Sequence, residues 1–133
     1  MRLNPFECGI TLTSHTPATL TGSAPPLGVF HNTISENESV RNGLQGAGAG
    51  TGMFASVPGA QTYGNVVIDN RLIGNDQAGV AMHSHTPNQI LDDNKIIGTF
   101  ISGNHAETGD AATAGPTGMN VFGVSPVKDT MIL

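Results

Sequence analysis

Asparagine and aliphatic residues recur along this chain at fixed distances. One copy begins at Asn65, with an aliphatic residue two and eight positions later and further asparagines five and ten positions later. The segment from Asn32 to Asn42 repeats all of these offsets. The segment from Asn94 to Asn104 keeps the aliphatic residue two positions along and the asparagine ten positions along. Thr99 occupies the middle asparagine position, and the second aliphatic residue, Ile101, lies seven positions along instead of eight. This recurrence predicts a repeated structural unit.

A second type of segment lies between these copies and starts with glycine. Gly9 to Pro17 and Gly79 to Pro87 share the sequence Ser-His-Thr-Pro, and looser copies begin at Gly52 and Gly118. Apolar residues alternate with polar ones in these segments, which predicts short strands that turn every second residue inward. The residues predicted to face inward are Ile10, Leu12, Met53, Ala55, Val80, Met82, Met119 and Val121.

The repeat length decides the predicted fold. Equivalent positions recur every 27 to 43 residues, and such periods indicate a solenoid or a propeller. Short strands between turns rich in Gly, Pro, Asn and Asp argue against helical repeats. We therefore predict an all-β, single-stranded parallel β-helix, a solenoid of about four coils, as one domain over residues 1–133. Inserted loops are predicted at residues 18–30, 43–50 and 106–117.

Successive coils of a parallel solenoid lie about 4.8 Å apart, so equivalent residues form columns. Asparagine suits the corners between strands because it tolerates left-handed backbone and its amide can bond along the axis. The predicted asparagine ladder comprises Asn32, Asn65 and Asn94, then Asn37 and Asn70, then Asn42, Asn75 and Asn104. The predicted stacking core column comprises Ile34, Val67, Ile96 and Met131.

From Gly9 to Leu133 the pattern resembles the right-handed parallel β-helix superfamily, which includes pectate-lyase-like enzymes, phage tailspikes and bacterial surface repeat proteins. The resemblance implies a right-handed coil. For the enzymes of the superfamily it also implies cleavage of acidic polysaccharides with calcium-binding aspartates and a basic residue, or glycoside hydrolysis by clustered carboxylates. One scaffold serves many functions, so the resemblance indicates architecture rather than activity.

Composition narrows the classes of partner. The net charge of -5 opposes binding to a nucleic-acid phosphate backbone, so we predict no nucleic-acid partner. No apolar run approaches the roughly 18 residues that span a bilayer, so we predict no membrane span. The N-terminal residues lack the apolar region of a signal peptide. Cys8 is the single cysteine, which excludes an internal disulfide, and we interpret it as a packing residue.

Two groups of residues are weak candidates for metal ligands. His83 and His85 lie two positions apart on one strand, and His15 matches His85 by repeat, but no third or fourth ligand is evident for zinc or copper. An exposed or loop-covered polar strand is the simpler interpretation. Asp92 and Asp93 could bind calcium, although two acids before an asparagine corner are typical of a solvated turn. We predict no metal and no cofactor, with calcium as the alternative.

No pattern of catalytic residues emerges. Asp69, Asp76 and Asp110 are further acidic candidates, but no acid recurs at one offset of adjacent coils. Arg71 is predicted to face solvent and to contact its neighbours little. The chain has no Trp and one Tyr, which gives no support to a sugar-binding surface. A threonine array for ice binding gains no support either, since its column reads Thr13, Ser56, His83 and Phe122.

Both ends of the predicted solenoid lack a polar cap, since the first rung begins near Met1 and an apolar strand reaches Leu133. Uncapped solenoid ends are templates for association. We therefore predict a non-enzymatic structural protein that stacks head-to-tail on copies of itself into an extracellular or cell-surface filament. One alternative is a fragment of a polysaccharide lyase or glycoside hydrolase, with acidic residues and an ion in a groove beside His83 and His85. The other is a segment of a phage or surface adhesin.

Overall fold

The chain folds almost entirely into short β-strands. A computed structural model describes residues 7–14 and 28–133, so His15 and residues 18–27 of the first predicted loop lie outside the described residues. The strands are β1 (Ile10–Ser14), β2 (Val29–Phe30), β3 (Thr33–Ser35), β4 (Glu38–Val40), β5 (Thr51–Ala55), β6 (Thr62–Tyr63), β7 (Val66–Ile68), β8 (Arg71–Ile73), β9 (Val80–Ser84), β10 (Lys95–Ile97), β11 (Phe100–Ser102), β12 (Met119–Gly123) and β13 (Met131–Ile132). A 3-10 turn at Gly109–Ala111 is the helical element of this part of the chain. The predicted all-β class is confirmed.

The strands form separate parallel sheets. Sheet A contains β1, β5, β9 and β12, sheet B contains β3, β7, β10 and β13, sheet C contains β4, β8 and β11, and β2 pairs with β6. All the pairings between these strands are parallel. Within each sheet the strands follow chain order, and consecutive strands of the chain lie in different sheets. The chain therefore returns to each sheet once per repeat.

The core lies between the sheets, where the alternating residues point inward as predicted. Ile34, Val67 and Ile96 stand side by side in sheet B, and all three are buried. They pack with buried residues of sheets A and C. The remaining members of this buried cluster are Met53, Leu72, Val80, Met82 and Leu91.

The predicted core column is wrong at its last member, Met131. Ile132, not Met131, pairs with Ile96, while Met131 pairs with Lys95. The reason is that Thr130 occupies the ladder position of this repeat, since the N–H of Met131 donates to Asn94 O, whereas a core position at Met131 would require the ladder position at Asp129. A shift of one residue exchanges the two faces of a strand.

The core position of sheet C also differs from the prediction. Ser39, Leu72 and Ile101 are in register, so the inward residue lies seven positions after the first asparagine in every copy. Leu72 is completely buried, whereas Val40 and Ile73, eight positions along, are only half-buried. The third copy is therefore regular, and Ser39 is the exception. Its hydroxyl donates to Gly50 O at 2.7 Å.

The second glycine strand is aligned two residues earlier than predicted. Thr51, not Met53, pairs with Ile10, so Gly50 rather than Gly52 is the equivalent of Gly9 and Gly79. Because the shift is an even number, Met53 still faces inward. A Cβ on Gly50 would lie 2.9 Å from Asn75 Nδ2 and 2.7 Å from a neighbouring carbonyl. Glycine is therefore required where this strand passes the asparagine ladder.

The asparagines bond along the stacking direction with a constant polarity. The backbone N–H and the Nδ2 of Asn42 both donate to Asn75 Oδ1, at 3.0 and 2.8 Å, and Asn75 donates in the same way to Asn104. The same pair of hydrogen bonds to one Oδ1 joins Asn32 to Asn65, Asn65 to Asn94, and Asn37 to Asn70. The side-chain oxygens of the second and third repeats thus each accept two hydrogen bonds from the preceding repeat, which satisfies amides that are mostly buried; these acceptors belong to Asn65, Asn70, Asn75, Asn94 and Asn104.

The ladder asparagines do not adopt the left-handed backbone expected of them. Instead, the residue before each ladder position adopts the left-handed backbone. These left-handed residues are His31, Glu36, Arg41, Gly64, Asp69, Gly74, Asp93, Gly98, Gly103 and Asp129, with φ between 52° and 63°. The corner thus consists of one left-handed residue followed by one side chain that bonds to the next repeat.

Candidate binding groove

Aromatic rings line the outer face of sheet A. Phe54, His83 and Phe122 occupy one row of the parallel register, and His85 follows immediately after β9. The His83 ring lies 5.4 Å from both Phe54 and His85 and 6.0 Å from Phe122, measured between ring centroids. The two imidazoles therefore stand between two phenylalanines and form a continuous ring surface.

The loop before β12 builds a wall beside this surface. The N–H of Ala78 donates to Glu107 Oε2 at 3.3 Å, and Gln77 Nε2 donates to Thr108 Oγ1. Farther along, Asn120 Nδ2 of sheet A donates to Ala111 O at 2.7 Å. These bonds hold the loop against the sheet, so Glu107 is buried, with 4% of its surface exposed.

A groove of about 280 Å³ runs between the ring surface and the loop. Its lining includes Phe54, His83 and His85 together with the carboxylates of Glu7 and Glu107. Ligand pockets are usually of roughly 300–1,000 Å³. The groove is therefore at the lower limit of that range and suits one small ring.

The Cys8 thiol also lies in the lining of this groove. Burial raises the pKa of the Cys8 thiol, hydrogen bonds with Ala49 and Thr11 lower it, and the charges of Glu7 and Glu107 raise it again. The Ala49 N–H donates to Cys8 Sγ at 3.3 Å. Both carboxylates thus act on one group of the lining, with a smaller effect on its pKa than burial has.

The predicted site residues have different positions. His83 and His85 are together in the groove, with His83 buried and His85 half-buried. Asp92 and Asp93 lie in the turn before β10, where Asp92 Oδ1 accepts the Lys128 N–H at 3.0 Å and Asp93 lies 3.5 Å from Lys95. Within residues 7–14 and 28–133, no group of three or more His, Cys, Asp or Glu could hold a metal.

Three other predicted residues lie at the edges of the sheets. Asp69 is one of the left-handed corner residues, and the Asp76 N–H donates to Asn42 O. The Asp110 side chain lies outside the described residues. Arg71 is exposed as expected, but it does contact its neighbours: its Nε lies 3.9 Å from Glu38 and its guanidinium lies 4.9 Å from the Phe100 ring centre.

The sequence reasoning missed Phe54 and Glu107 as site residues. The outward column of sheet A was expected to contain Ser56, because the glycine strand was aligned at Gly52. In the observed register Phe54 stands beside His83, so the correct alignment would have indicated an aromatic surface. Glu107 carries no repeat signal because it lies in an inserted loop.

Comparison with protein-family models, with curated proteins and with solved structures finds no match to this chain. In the part of the chain that the structure describes, no helix is long and apolar enough to cross a membrane.

Proposed function

We propose that the protein is a parallel β-solenoid that binds carbohydrate in the groove on sheet A. The solenoid is supported by the stacking of equivalent strands, since each repeat adds one strand to sheets A and B in chain order. It is also supported by the asparagine ladder, whose bonds join residues 33 and then 29 positions apart. A right-handed coil follows from the resemblance to the β-helix superfamily.

One observation supports carbohydrate as the ligand: flat rings and carboxylates line the same small groove. Phe54 and His85, which are half-buried, offer ring surface against which the C–H side of a sugar ring can pack, and such packing buries apolar area. Glu7 and Glu107 offer oxygens that accept hydrogen bonds from hydroxyl groups. Apolar rings with a few converging polar groups are the usual composition of a ligand site.

A panel of soluble oligosaccharides tests this proposal. Neutral, acidic and amine-bearing trisaccharides are titrated into the intact protein, and binding is followed by calorimetry and by chemical shifts of the His85 ring. We expect saturable binding that Phe54→Ala weakens about fivefold, since the packing of one ring is worth on the order of 1 kcal/mol. Phe30→Ala is the matched control, because Phe30 is exposed and pairs with Tyr63 outside the groove.

Three results would count against carbohydrate binding: no saturable binding in the panel, equal loss in both variants, or loss in Phe30→Ala alone. Two carboxylates are also the minimum for glycoside hydrolysis, so the mixtures are assayed for new reducing ends. Our proposal is binding without cleavage, at an extracellular or cell-surface location where polysaccharides occur.

A head-to-tail filament is the second candidate, and the polarity of the ladder favours it. Within the described residues, no hydrogen bond reaches Oδ1 of Asn32 or of Asn37 at one edge of the sheets. At the other edge the Thr130 hydroxyl is buried without a hydrogen-bond partner in the same part of the chain. In a second copy stacked there, the Thr130 hydroxyl of one copy would donate to Asn32 Oδ1 of the next.

The same stack would cover apolar side chains. Val121 and Ile132 are 47% and 57% exposed, and in the stack they would lie beside Leu12 and Ile34 of the next copy.

Electron microscopy over a dilution series tests the filament. We expect unbranched fibres with a spacing near 4.8 Å that Ile132→Asp abolishes, whereas Met131→Asp, on the opposite face of β13, has a smaller effect. Particles of one size at all concentrations would exclude self-stacking.

A further inference from the structure

We propose that the outer edge of β11 binds an extended peptide, which adds one parallel strand to sheet C. The peptide carries an aliphatic residue two positions after one asparagine and three positions before a second. Addition of a strand to a sheet edge is a known mode of peptide recognition, in which main-chain hydrogen bonds give affinity and side-chain pockets give specificity. β11 is the edge strand of sheet C, because among the described strands it pairs with β8 alone. The site lies outside the groove on sheet A and does not depend on carbohydrate binding.

The backbone of β11 directs hydrogen-bonding groups away from β8. The Phe100 N–H donates to Asn70 O at 2.8 Å, and Ser102 O accepts the Gly74 N–H at 3.0 Å. Phe100 and Ser102 therefore bond to the side of β8. Because alternate residues of such a strand bond to opposite sides, the N–H and C=O of Ile101 are directed at the outer edge. A row of such groups on an edge strand is a template for another strand.

The asparagine ladder leaves a donor at the same edge. Asn75 donates from its N–H and its Nδ2 to Asn104 Oδ1, at 3.0 and 2.8 Å. Asn104 is itself only 4% exposed, and its Nδ2 donates to Leu72 O at 2.9 Å. Within residues 7–14 and 28–133, no acceptor meets the Asn104 N–H. An asparagine of the added strand would supply that acceptor, as Asn104 does for Asn75.

The surroundings of Gly118 show where the side chains of the added strand would lie. Gly118 is the equivalent of Gly79, since the residues that follow them are paired in sheet A. A Cβ on Gly79 would lie 2.4 Å from Ile101 Cγ2 and 2.9 Å from Asn104 Nδ2, and the two earlier glycines of this column also meet a sheet C side chain and a ladder amide. A Cβ on Gly118 would meet only Ile101 Cγ2, at 3.7 Å, among the described residues. The space of one aliphatic side chain and one amide is therefore open beside Gly118.

A pocket of about 220 Å³ occupies this space. Its lining includes Ile101, Asn104, Thr117 and Gly118. A cavity of roughly 150 Å³ already holds a benzene-sized group, so the pocket has room for one aliphatic side chain. In the preceding repeat the equivalent residue, Leu72, is completely buried, whereas Ile101 is half-buried. An aliphatic residue of the peptide would cover Ile101 and remove apolar surface from water.

The second repeat supplies the probe. The segment Asn70–Asn75, Asn-Arg-Leu-Ile-Gly-Asn, covers β4 with the spacing of asparagine and aliphatic residues stated above. We therefore use this hexapeptide, acetylated at one end and amidated at the other. It is titrated into the intact protein, and binding is followed by fluorescence anisotropy of a labelled copy and by amide hydrogen exchange.

Saturable binding is expected, with slower exchange of the Ile101 amide in the complex. Replacement of the peptide's leucine by alanine should weaken binding about tenfold, because the buried side chain is truncated. Replacement of its last asparagine by alanine should weaken binding about fivefold, because one hydrogen-bond acceptor is lost. Replacement of its arginine by alanine is the control and should change binding little, since the equivalent Arg71 is exposed.

A protein variant locates the site. Gly118→Val fills the pocket and should weaken binding at least tenfold. The variant is expected to fold, because the added Cβ would be in ordinary contact with Ile101 and the φ of Gly118 is not in the left-handed region. Gly115→Val is the matched control: it lies outside the pocket lining, no atom lies within 4 Å of a Cβ built there, and it should bind the peptide as the wild type does.

Four results would overturn the proposal. The first two are equal binding of the peptide and its leucine-to-alanine form, and equal binding of the peptide by Gly118→Val and the wild type. The third is slow exchange of the Ile101 amide in the free protein at every concentration, which would mean that the edge is already covered. The fourth is protection of Ile101 that rises with protein concentration alone, which would assign the edge to a second copy of the chain.

Discussion

The backbone N–H and the Nδ2 of Asn65 both donate to Oδ1 of Asn94, at 3.0 and 3.1 Å, although the two residues are 29 positions apart. Asn94 in turn donates from its Nδ2 to Thr62 O in the preceding repeat, at 3.1 Å. Both asparagines are completely buried. One side chain therefore satisfies three polar groups that water does not reach, and its contribution to stability should be correspondingly large.

Asn94→Ala is expected to lower the free energy of unfolding by about 3–5 kcal/mol. The substitution leaves the Asn65 N–H, one of the two Nδ2 hydrogens of Asn65 and the Thr62 carbonyl without partners, at roughly 1–3 kcal/mol each before relaxation, while Asn65 Nδ2 keeps its bond to Val29 O. Asn32→Ala is the control, because Asn32 is an exposed ladder residue whose loss leaves fewer buried groups unsatisfied, and about 1 kcal/mol is expected. Urea unfolding followed by circular dichroism measures both. Equal losses would show that burial of the ladder is not the source of its stability.

Thr99→Asn is expected to stabilise the protein by about 0.5–1.5 kcal/mol. Thr99 occupies the one ladder position of the third repeat without an amide, and the Asn70 N–H reaches its hydroxyl only at 3.5 Å. The equivalent bond from Asn37 to Asn70 measures 2.9 Å, so an asparagine should shorten the contact and add a second one. Thr33→Asn, on an exposed strand position outside the ladder, is the control. An unchanged or lower melting temperature for Thr99→Asn would contradict the ladder rule.

Two features of the fold were open to prediction from sequence because they depend on side-chain chemistry at fixed distances. The ladder of Asn65 and Asn94 is one, since amides that bond to each other must recur. The second feature is the column of inward-facing apolar residues that contains Val67. The left-handed corners were only partly predictable: seven of the ten residues that adopt them are Gly or Asp, which favour this conformation, but His31, Glu36 and Arg41 carry no such signal. The constraint there acts on the backbone alone.

The groove was the least predictable part, for a different reason. His83 and His85 were visible as a pair on one strand. Phe54 was hidden by a two-residue error in register, which periodicity cannot detect because it leaves the inward face unchanged. Glu107 comes from an inserted loop whose position depends on tertiary hydrogen bonds such as that from Ala78. No local pattern encodes such a contact.

Gly98→Ala is expected to cost about 1–2 kcal/mol, because Gly98 is left-handed, with φ of 54°, and non-glycine residues pay about that much there. The added methyl group would also approach the Asp69 carboxylate. Gly115→Ala is the matched control: no atom lies within 4 Å of a Cβ built there and its φ is not in the left-handed region, so the change should be close to neutral. Thermal unfolding of the two variants measures both changes in stability. If Gly98→Ala left the stability unchanged, the argument that this corner requires glycine would fail.

The thiol of Cys8 gives the stability of the protein a pH dependence with a definite sign. Burial raises the pKa of Cys8 above its ordinary value of 9.0. The unfolded chain therefore loses this proton at a lower pH than the folded chain, so the contribution of Cys8 is constant below pH 9 and falls as the pH rises past it. We expect the difference in unfolding free energy between the wild type and Cys8→Ala to be constant from pH 6 to 8 and to shift toward the variant as the pH rises past 9. Urea titrations of both proteins at each pH measure this difference. Groups other than Cys8 titrate in both proteins, so their contributions cancel in the difference. A difference that shifts toward the wild type above pH 9 would mean that the folded protein favours the thiolate, and that Cys8 does not face the carboxylates of Glu7 and Glu107 as described.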